Sequence, residues 1–389
     1  MTIYGSPVHG FEAFDELLRS FAEQHAVPGA ALAVGRAGEL LYARSIGFAN
    51  VEDKIPVEPH ALFRIASISK PVTAVAILQQ VERGHLTLDT RVWELLKLDE
   101  PTDPRWKLVT VRQLLQHTGG WNPSVSFDPM FKSVEFASEV GTPPPAGPAE
   151  IIRAMLKRSL DCDPGTKYAY SNFGYCLLGR VLECLPSTHG RSFEQIVRDE
   201  VFTPVGALSP RIGRTLTTSV DEVRYSMPVI EGEPPVLEDS VFMPGEKVSP
   251  PNGAWHLEAM DSHGGWIASA PDLVRFAMGC DEAAVESTSN RQSLLTRPMI
   301  DEMFSQPTDY TAKEPDVWYG HGWNVRTTDS GTGRNTWHLG ALDGTSTILV
   351  RRSDGMTWAV LFNMRKNAKG EELARLIDPL VHGAANAVP

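Results

Sequence analysis

The chain is expected to be an α+β protein: one antiparallel β-sheet built from both ends of the chain, flanked by N- and C-terminal helices, with a largely helical region inserted between. Three observations predict this. Two β-rich runs near the N-terminus are joined by a short glycine-containing link. The middle of the chain then carries one helical period after another with hardly a β-rich run. The last stretch is a succession of β-rich runs closed by a final helical pattern.

Taken in order, Phe11 to Ala26 places Phe14, Leu17, Leu18 and Phe21 at helical spacing, as expected of a helix lying on a sheet. Gly29 to Val34 and Leu40 to Phe48 are β-rich, and Gly35-Arg36-Ala37-Gly38-Glu39 reads as the hairpin link. The run Val72 to Val81 is apolar with helical period. Pro71 marks its start, because proline is tolerated only in the first turn, where its missing N–H leaves no gap. Helices are then predicted over Asp89 to Leu98, Val111 to Gln116, Ala149 to Leu160, Phe173 to Leu185 and Phe193 to Val201. Two segments rich in proline and glycine, 122–148 and 231–254, read as irregular lids, walls or linkers. Asp272 to Gly279 and Pro298 to Phe304 look helical. Trp318 to Thr327, Thr336 to Leu339, Thr345 to Arg351 and Met356 to Asn363 read as strands, with Ser353-Asp354-Gly355 as a turn, and Glu371 to Val381 as the closing helix. The expected division is a sheet domain from residues 1–72 and 240–389 and a mainly helical domain from 73–239, with the active site between them. No internal repeat is evident.

Composition bounds the function. With 389 residues, 42% hydrophobic and 22% charged, the chain can bury a sizeable core. A net charge of −12 and a pI near 5.4 oppose binding to nucleic acid or an anionic membrane, and there is no basic run to overrule that. The N-terminus lacks the basic and apolar regions of a signal peptide, and no later run is long enough to span a bilayer, so a cytoplasmic protein is expected. Cys162, Cys176, Cys184 and Cys280 have no metal-ligand spacing and read as buried small hydrophobes; no metal or organic cofactor is expected.

Three short patterns carry chemistry. Ser67-Ile68-Ser69-Lys70 is the only Ser-x-x-Lys in the chain and heads the Pro71 helix, so Lys70 falls on the same helix face as Ser67. A serine there sits in the positive field of the helix N-terminus with an amine in reach of its hydroxyl; the plainer reading is an N-capping serine and a solvated lysine. Tyr170-Ser171-Asn172, the only Tyr-x-Asn, immediately precedes the Phe173 helix. Its phenol can act as a base only beside a cation, and the plainer reading makes Asn172 an N-cap. His338-Leu339-Gly340-Ala341 lies among the late strands, where Gly340 lets a substrate approach the backbone and the Ala341 N–H can join that of Ser67 as an oxyanion donor, or where the glycine is merely a kink.

In that order the three patterns resemble the serine β-lactamase and penicillin-binding-protein superfamily. Tyr-x-Asn in the middle position is similar to the class C β-lactamases, the D-alanyl-D-alanine carboxypeptidases and the family VIII carboxylesterases. Leu114-Leu115-Gln116-His117-Thr118-Gly119-Gly120 and Gly264-Gly265-Trp266-Ile267-Ala268-Ser269-Ala270-Pro271-Asp272-Leu273 are similar to further signatures of that branch. The resemblance implies an acyl-enzyme on Ser67, with Lys70 and Tyr170 handling its proton, the Ser67 and Ala341 N–H groups holding the oxyanion, and Asn172 contacting the acyl side chain. It leaves open which of Lys70 and Tyr170 is the base.

The substrate is read from departures. Where β-lactamases carry Lys-Thr-Gly, this chain has His338-Leu339-Gly340, which replaces a permanent cation and a hydroxyl and weakens the case for carboxylate-bearing substrates. Trp121, Trp255, Trp266, Trp318, Trp323 and Trp337 flank the motifs, and Trp121 in particular is expected at the substrate cleft. The expected partner is a small-molecule ester or amide, and the expected activity that of a carboxylesterase on short or apolar esters. The alternatives are a β-lactamase, a D-amino-acid carboxypeptidase or amidase, an acyltransferase, or a penicillin-binding sensor without turnover.

Overall fold

The computed structural model describes residues 1–230, 232–281, 293–308, 316–328 and 333–388. Its main sheet is antiparallel throughout and mixes strands from both chain ends. Its strands are β1 (Ile3–Tyr4), β2 (Gly29–Arg36), β3 (Glu39–Asn50), β4 (Ile55–Pro56), then β10 (Val317–Tyr319), β11 (Asn324–Thr327), β12 (Arg334–Leu342), β13 (Thr345–Arg351) and β14 (Met356–Phe362). The order is β1-β3-β2-β14-β13-β12-β11-β10, with β4 pairing β3. Between these lie β5 (Phe63–Arg64), β6 (Arg211–Ile212), β7 (Glu238–Asp239), β8 (Lys247–Val248) and β9 (Trp266–Ala268). The central strands are buried on both faces, and their alternate residues serve different cores. Ala30, Leu32 and Val34 of β2 face one cluster, Ala31 and Ala33 the other.

The first cluster is covered by the terminal helices. α1 (Glu12–Gln24) buries Phe14, Leu18, Phe21 and Ala22, and the Tyr42 hydroxyl donates to Asp15 Oδ1 at 2.8 Å. The closing helix, which runs over Leu373–Ala385, buries Leu373, Ala374, Ile377, Val381 and Ala385 on the same side. On the other face lies the helical middle: α2 (Ser69–Glu82), α3 (Val92–Leu96), α4 (Val111–Leu115), α5 (Ser133–Val140), α6 (Pro148–Met155), α7 (Asn172–Cys184) and α8 (Phe193–Val197), followed by α9 (Ala270–Met278) and α10 (Arg297–Met303). α2 is buried from Ser69 to Gln80 with no polar face, as befits a helix at the centre of a helical layer. No helix among the described residues is long and apolar enough to cross a membrane.

Several expectations need correction. Segment 122–148 is not irregular throughout: Phe136 and Ala137 find a core, so α5 forms and stops at Gly141, where φ is +73°, before the proline tract. Segment 231–254, of which residue 231 lies outside the described residues, pairs β7 with β8. The helix expected from Asp89 begins only at Val92, because Thr90 and Val92 exchange backbone hydrogen bonds with Val111 and Val109. The run Trp318 to Thr327 is two strands, broken by a turn at Gly322; a Cβ there would lie 2.7 Å from that of Ala74, so the turn packs directly on α2. A small sheet, β5-β9-β6, is also present; its two- and three-residue strands are too short to show periodicity. All four cysteines are free, but Cys184 is exposed and Cys162 half-buried.

The turn carrying Ser67 is docked on the main sheet. Thr345 Oγ1 donates to the Arg64 carbonyl at 2.8 Å and Thr347 Oγ1 to that of Ile65 at 3.0 Å. β12 approaches so closely that a Cβ on Gly340 would lie 2.2 Å from both the Ile65 carbonyl oxygen and Thr347 Oγ1. What needs the bare glycine is the chain's own backbone, not a substrate. Gly340→Ala is therefore expected to destabilise the protein by about 1–3 kcal/mol through overpacking against an oxygen that cannot yield. Thermal denaturation checks this; an unchanged Tm would show that the turn is free to retreat from the sheet.

Candidate active site

Ser67 lies in a 3₁₀ turn, Ala66–Ile68, that runs into α2. Ala66 has φ of +47°, a left-handed conformation costly for a residue with a Cβ, and Ser69 Oγ holds the turn by donating to the Ala66 carbonyl at 2.7 Å. Ser67, half-buried, lines a cavity of about 310 Å³ together with Tyr170, Asn172, Trp255, Met260, Ala341 and Arg365.

Lys70 is completely buried beneath it. Its three N–H donors reach Ser67 Oγ at 3.1 Å, Asn172 Oδ1 at 2.7 Å and the His263 carbonyl at 2.9 Å. Burial disfavours the ammonium and pushes Lys70 down to about 7, against the opposing charge of Asp128. The same exclusion of water drives the Tyr170 phenol well above its ordinary range, although its hydrogen bond with Ser67 works the other way. The Tyr170 ring lies 4.8 Å from Lys70 Nζ. An amine near neutrality and a phenol kept protonated thus face one hydroxyl.

α7 places Asn172 by an unexpected route. Its N-cap is Ser171, whose Oγ accepts from the Gly174 N–H at 3.2 Å, which leaves the Asn172 amide free for Lys70. The Ser171 N–H in turn donates to His117 Nδ1 at 3.1 Å, and the His117 ring lies 4.3 Å from that of Tyr170, tilted by 41°. His117 therefore belongs to the support of the site and not to its surface.

The remaining expected residues separate. Ala341 lines the cavity with Ser67. His338 is buried, with Nδ1 donating to the Leu339 carbonyl at 2.7 Å and Nε2 accepting from the Tyr319 hydroxyl at 3.0 Å. Burial and the charge of Lys70 push its imidazole down to about 3, so it carries no charge at neutral pH. Leu339 points to the opposite face of the sheet, against the cluster under the terminal helices, because strand neighbours alternate. A hydroxyl at position 339 would not meet a substrate. Trp121 is likewise no cleft wall: it packs edge-on to Trp106 and Phe173 in the helical core, and of the tryptophans considered only Trp255 lines the cavity.

Asp128, Arg365 and the residues that clamp Trp255 had no sequence signal, whereas Trp255 itself stood among the tryptophans that flank the motifs. Asp128 Oδ2 accepts from Asn172 Nδ2 at 2.6 Å. Arg365 lines the cavity but is engaged by Glu372 at 2.9 Å and Asp343 at 3.5 Å. Trp255 is held by a buried clamp: the Arg64 guanidinium sits 5.3 Å from its ring and 4.3 Å from that of Tyr225, donates to the carbonyls of Pro251 and Arg214 at 2.6 and 3.1 Å, and pairs with Glu222 at 3.6 Å. Apart from the Arg365–Glu372 pair, seven residues apart, none of these contacts is local in the chain. No cluster of potential metal ligands occurs among the described residues.

A Ser-Lys pair at a helix start, an asparagine at the start of a second helix with a tyrosine just before it, and a strand beside them define a serine hydrolase site on an antiparallel sheet. Residues 14–382 match the family described as Beta-lactamase, and the chain belongs to that family. It is 27% identical over 368 residues to penicillin-binding protein 4 of Amycolatopsis lactamdurans, covering 91% of this chain and 84% of that protein. It is 41% identical over 109 residues to esterase EstB of Burkholderia gladioli, a match to 28% of this chain and only 27% of EstB. The fold is similar to that of D-amino acid amidase from Ochrobactrum anthropi SV3, with a TM-score of 0.72 at 20% identity over 97% of this chain and 98% of the amidase.

The electrostatics of His338 are directly measurable. Its ring nitrogens are expected not to titrate between about pH 5 and 8 in ¹⁵N-detected NMR, since burial holds its midpoint near 3. A midpoint close to 6.5 would mean that the ring is open to water and able to meet an anion.

Proposed function

We propose that this serine hydrolase is a carboxylesterase acting on uncharged short-chain or apolar esters through an acyl-enzyme on Ser67. The observation that carries the reading is the charge of the cleft. The imidazole at the Lys-Thr-Gly position is neutral, and the one guanidinium among the described lining residues is already paired with two carboxylates. A substrate carboxylate would find no free cation there, whereas an ester needs none. Trp255, Met260 and Leu342 supply an apolar wall. That one relative is named an esterase supports the same direction.

The geometry suggests the division of labour. Neutral Lys70 keeps two N–H donors on Asn172 Oδ1 and the His263 carbonyl, which turns its lone pair toward Ser67 Oγ. As Ser67 Oγ bonds to the ester carbonyl carbon, its proton passes to Lys70. The oxyanion forms against the Ser67 and Ala341 N–H groups, an interaction worth about 3–4 kcal/mol per donor. Tyr170, kept protonated by burial, gives its proton to the leaving alcohol oxygen as the acyl C–O bond breaks, and recovers one through Lys70. Water then attacks the acyl-enzyme by the reverse proton path.

Ser67→Ala is expected to abolish hydrolysis of p-nitrophenyl butyrate while leaving the melting temperature nearly unchanged. Residual activity in that variant would remove Ser67 from the mechanism. For the wild type, kcat/KM on the neutral ester should exceed that on nitrocefin, a carboxylate-bearing β-lactam, by at least tenfold, about 1.4 kcal/mol. Glu372→Gln, which frees Arg365 of a partner, should narrow the ratio. Turnover of nitrocefin or a D-alanyl-D-alanine peptide as fast as the ester would replace the esterase reading with a β-lactamase or carboxypeptidase one.

A further inference from the structure

Asp128 is a half-buried carboxylate behind Asn172, and no step of the acyl-enzyme scheme uses it. It stands just before Pro129 and caps the short turn Pro129–Phe131, Oδ1 accepting from the Met130 N–H at 3.1 Å. Its other oxygen, Oδ2, accepts from Asn172 Nδ2 at 2.6 Å, and Asn172 Oδ1 accepts from Lys70 at 2.7 Å. Ammonium, amide and carboxylate thus form one line of charge-assisted hydrogen bonds.

Each partner in that line dictates the next. An amide has an acceptor end and a donor end, and an ammonium, which only donates, must face the oxygen. The Asn172 NH₂ is then turned away from Lys70 and requires an acceptor inside the protein. Burial raises the Asp128 carboxyl above its ordinary range, opposed by its hydrogen bonds from Asn172 and Met130 and by the charge of Lys70. In its ionised form it cannot donate and admits only this orientation; a serine or water there would leave the amide able to turn over.

We propose that Asp128 is a positioning residue for acyl transfer at Ser67: it locks the Asn172 amide with its oxygen on Lys70, and through that amide its carboxylate governs the proton exchange of Lys70. The inference rests on the Ser67–Lys70 reading given above. The other groups around Lys70 do not compete for this role. Tyr170 and Tyr175 face it from the start of α7, their rings 4.8 and 5.8 Å from Nζ. His117, which follows α4, His263, which precedes β9, and His338 on β12 are all driven toward the neutral form by burial and by the lysine charge itself. Arg180 and Asp261 lie beyond His263 as an ion pair and compensate one another. Among the described residues, Asp128 is the group whose charge favours the lysine cation.

The test is the pH dependence of kcat/KM for a neutral p-nitrophenyl ester in the wild type, Asp128→Asn and Asp128→Glu. A carboxylate raises the pKa of a neighbouring ammonium, so its removal lowers it. The limb that lies near pH 7 in the wild type should move to lower pH by about one unit in the Asn variant and return toward the wild-type position in the Glu variant. A wild-type midpoint retained in Asp128→Asn overturns the proposal, and so does a uniform loss of activity with that midpoint intact, which would mark a packing role. Should the Asn variant not fold, Asp128→Ser serves the same comparison. Labelling of Ser67 by a fluorophosphonate, with Ser67→Ala as control, separates the two levels of failure. An active Ser67→Ala enzyme defeats the serine mechanism itself, whereas an inactive one beside an unshifted Asp128→Asn profile defeats only the role of Asp128.

Discussion

A lysine ammonium withdrawn from water must find every acceptor within the protein, because leaving even one donor unpaired at that depth costs several kcal/mol. Lys70 finds its three on the turn before α2, on the first residue of α7 and on the segment before β9, positions 3, 102 and 193 residues away in the chain. This single requirement aligns three otherwise separate pieces of the fold. The same burial that demands three partners brings its proton affinity down to neutrality, which is what the proposed role in proton transfer requires.

The second constraint is that the Ser67 turn be rigid on the sheet side. Two threonine hydroxyls of β13 seize the carbonyls of Arg64 and Ile65, and β12 closes onto them at Gly340. The strained Ala66 conformation persists because its surroundings determine it on every side. Arg64, whose carbonyl is part of this docking, uses its guanidinium to hold the opposite cavity wall through Pro251, Tyr225 and Trp255. Nucleophile and apolar wall are therefore positioned by one buried residue.

The chemistry follows from what these constraints do to charge. Burial leaves His117, His263 and His338 neutral and Tyr170 protonated, so Lys70 and Asp128, their proton affinities lowered and raised respectively by the same exclusion of water, are the groups that face one another through a single amide. Arg365, which lines the cavity, is paired with Glu372 and Asp343. On the proposed reading, such a site moves one proton between a hydroxyl and an amine and offers little to an external carboxylate.

Read alone, the amino-acid sequence determined the sheet built from both chain ends, the helical middle and the adjacency of Ser67 and Lys70. These are properties of local periodicity, of Pro71 at a helix start and of a three-residue spacing, all short-range in the chain. Alternation along β12 already implied that Leu339 faces away from His338, a geometric consequence that the motif resemblance alone did not convey. The regular structure inside segment 122–148 was obscured by its prolines, since α5 owes its existence to a core that composition does not reveal. Only the tertiary structure decided that Trp121 is core, that Trp255 is wall, that Arg365 is neutralised and that Asp128 stands behind Asn172. The reason is physical: hydrogen bonds and ion pairs that follow neither the helical nor the strand period leave no periodic trace in the sequence, and their charges take on meaning only when the fold removes the water between them.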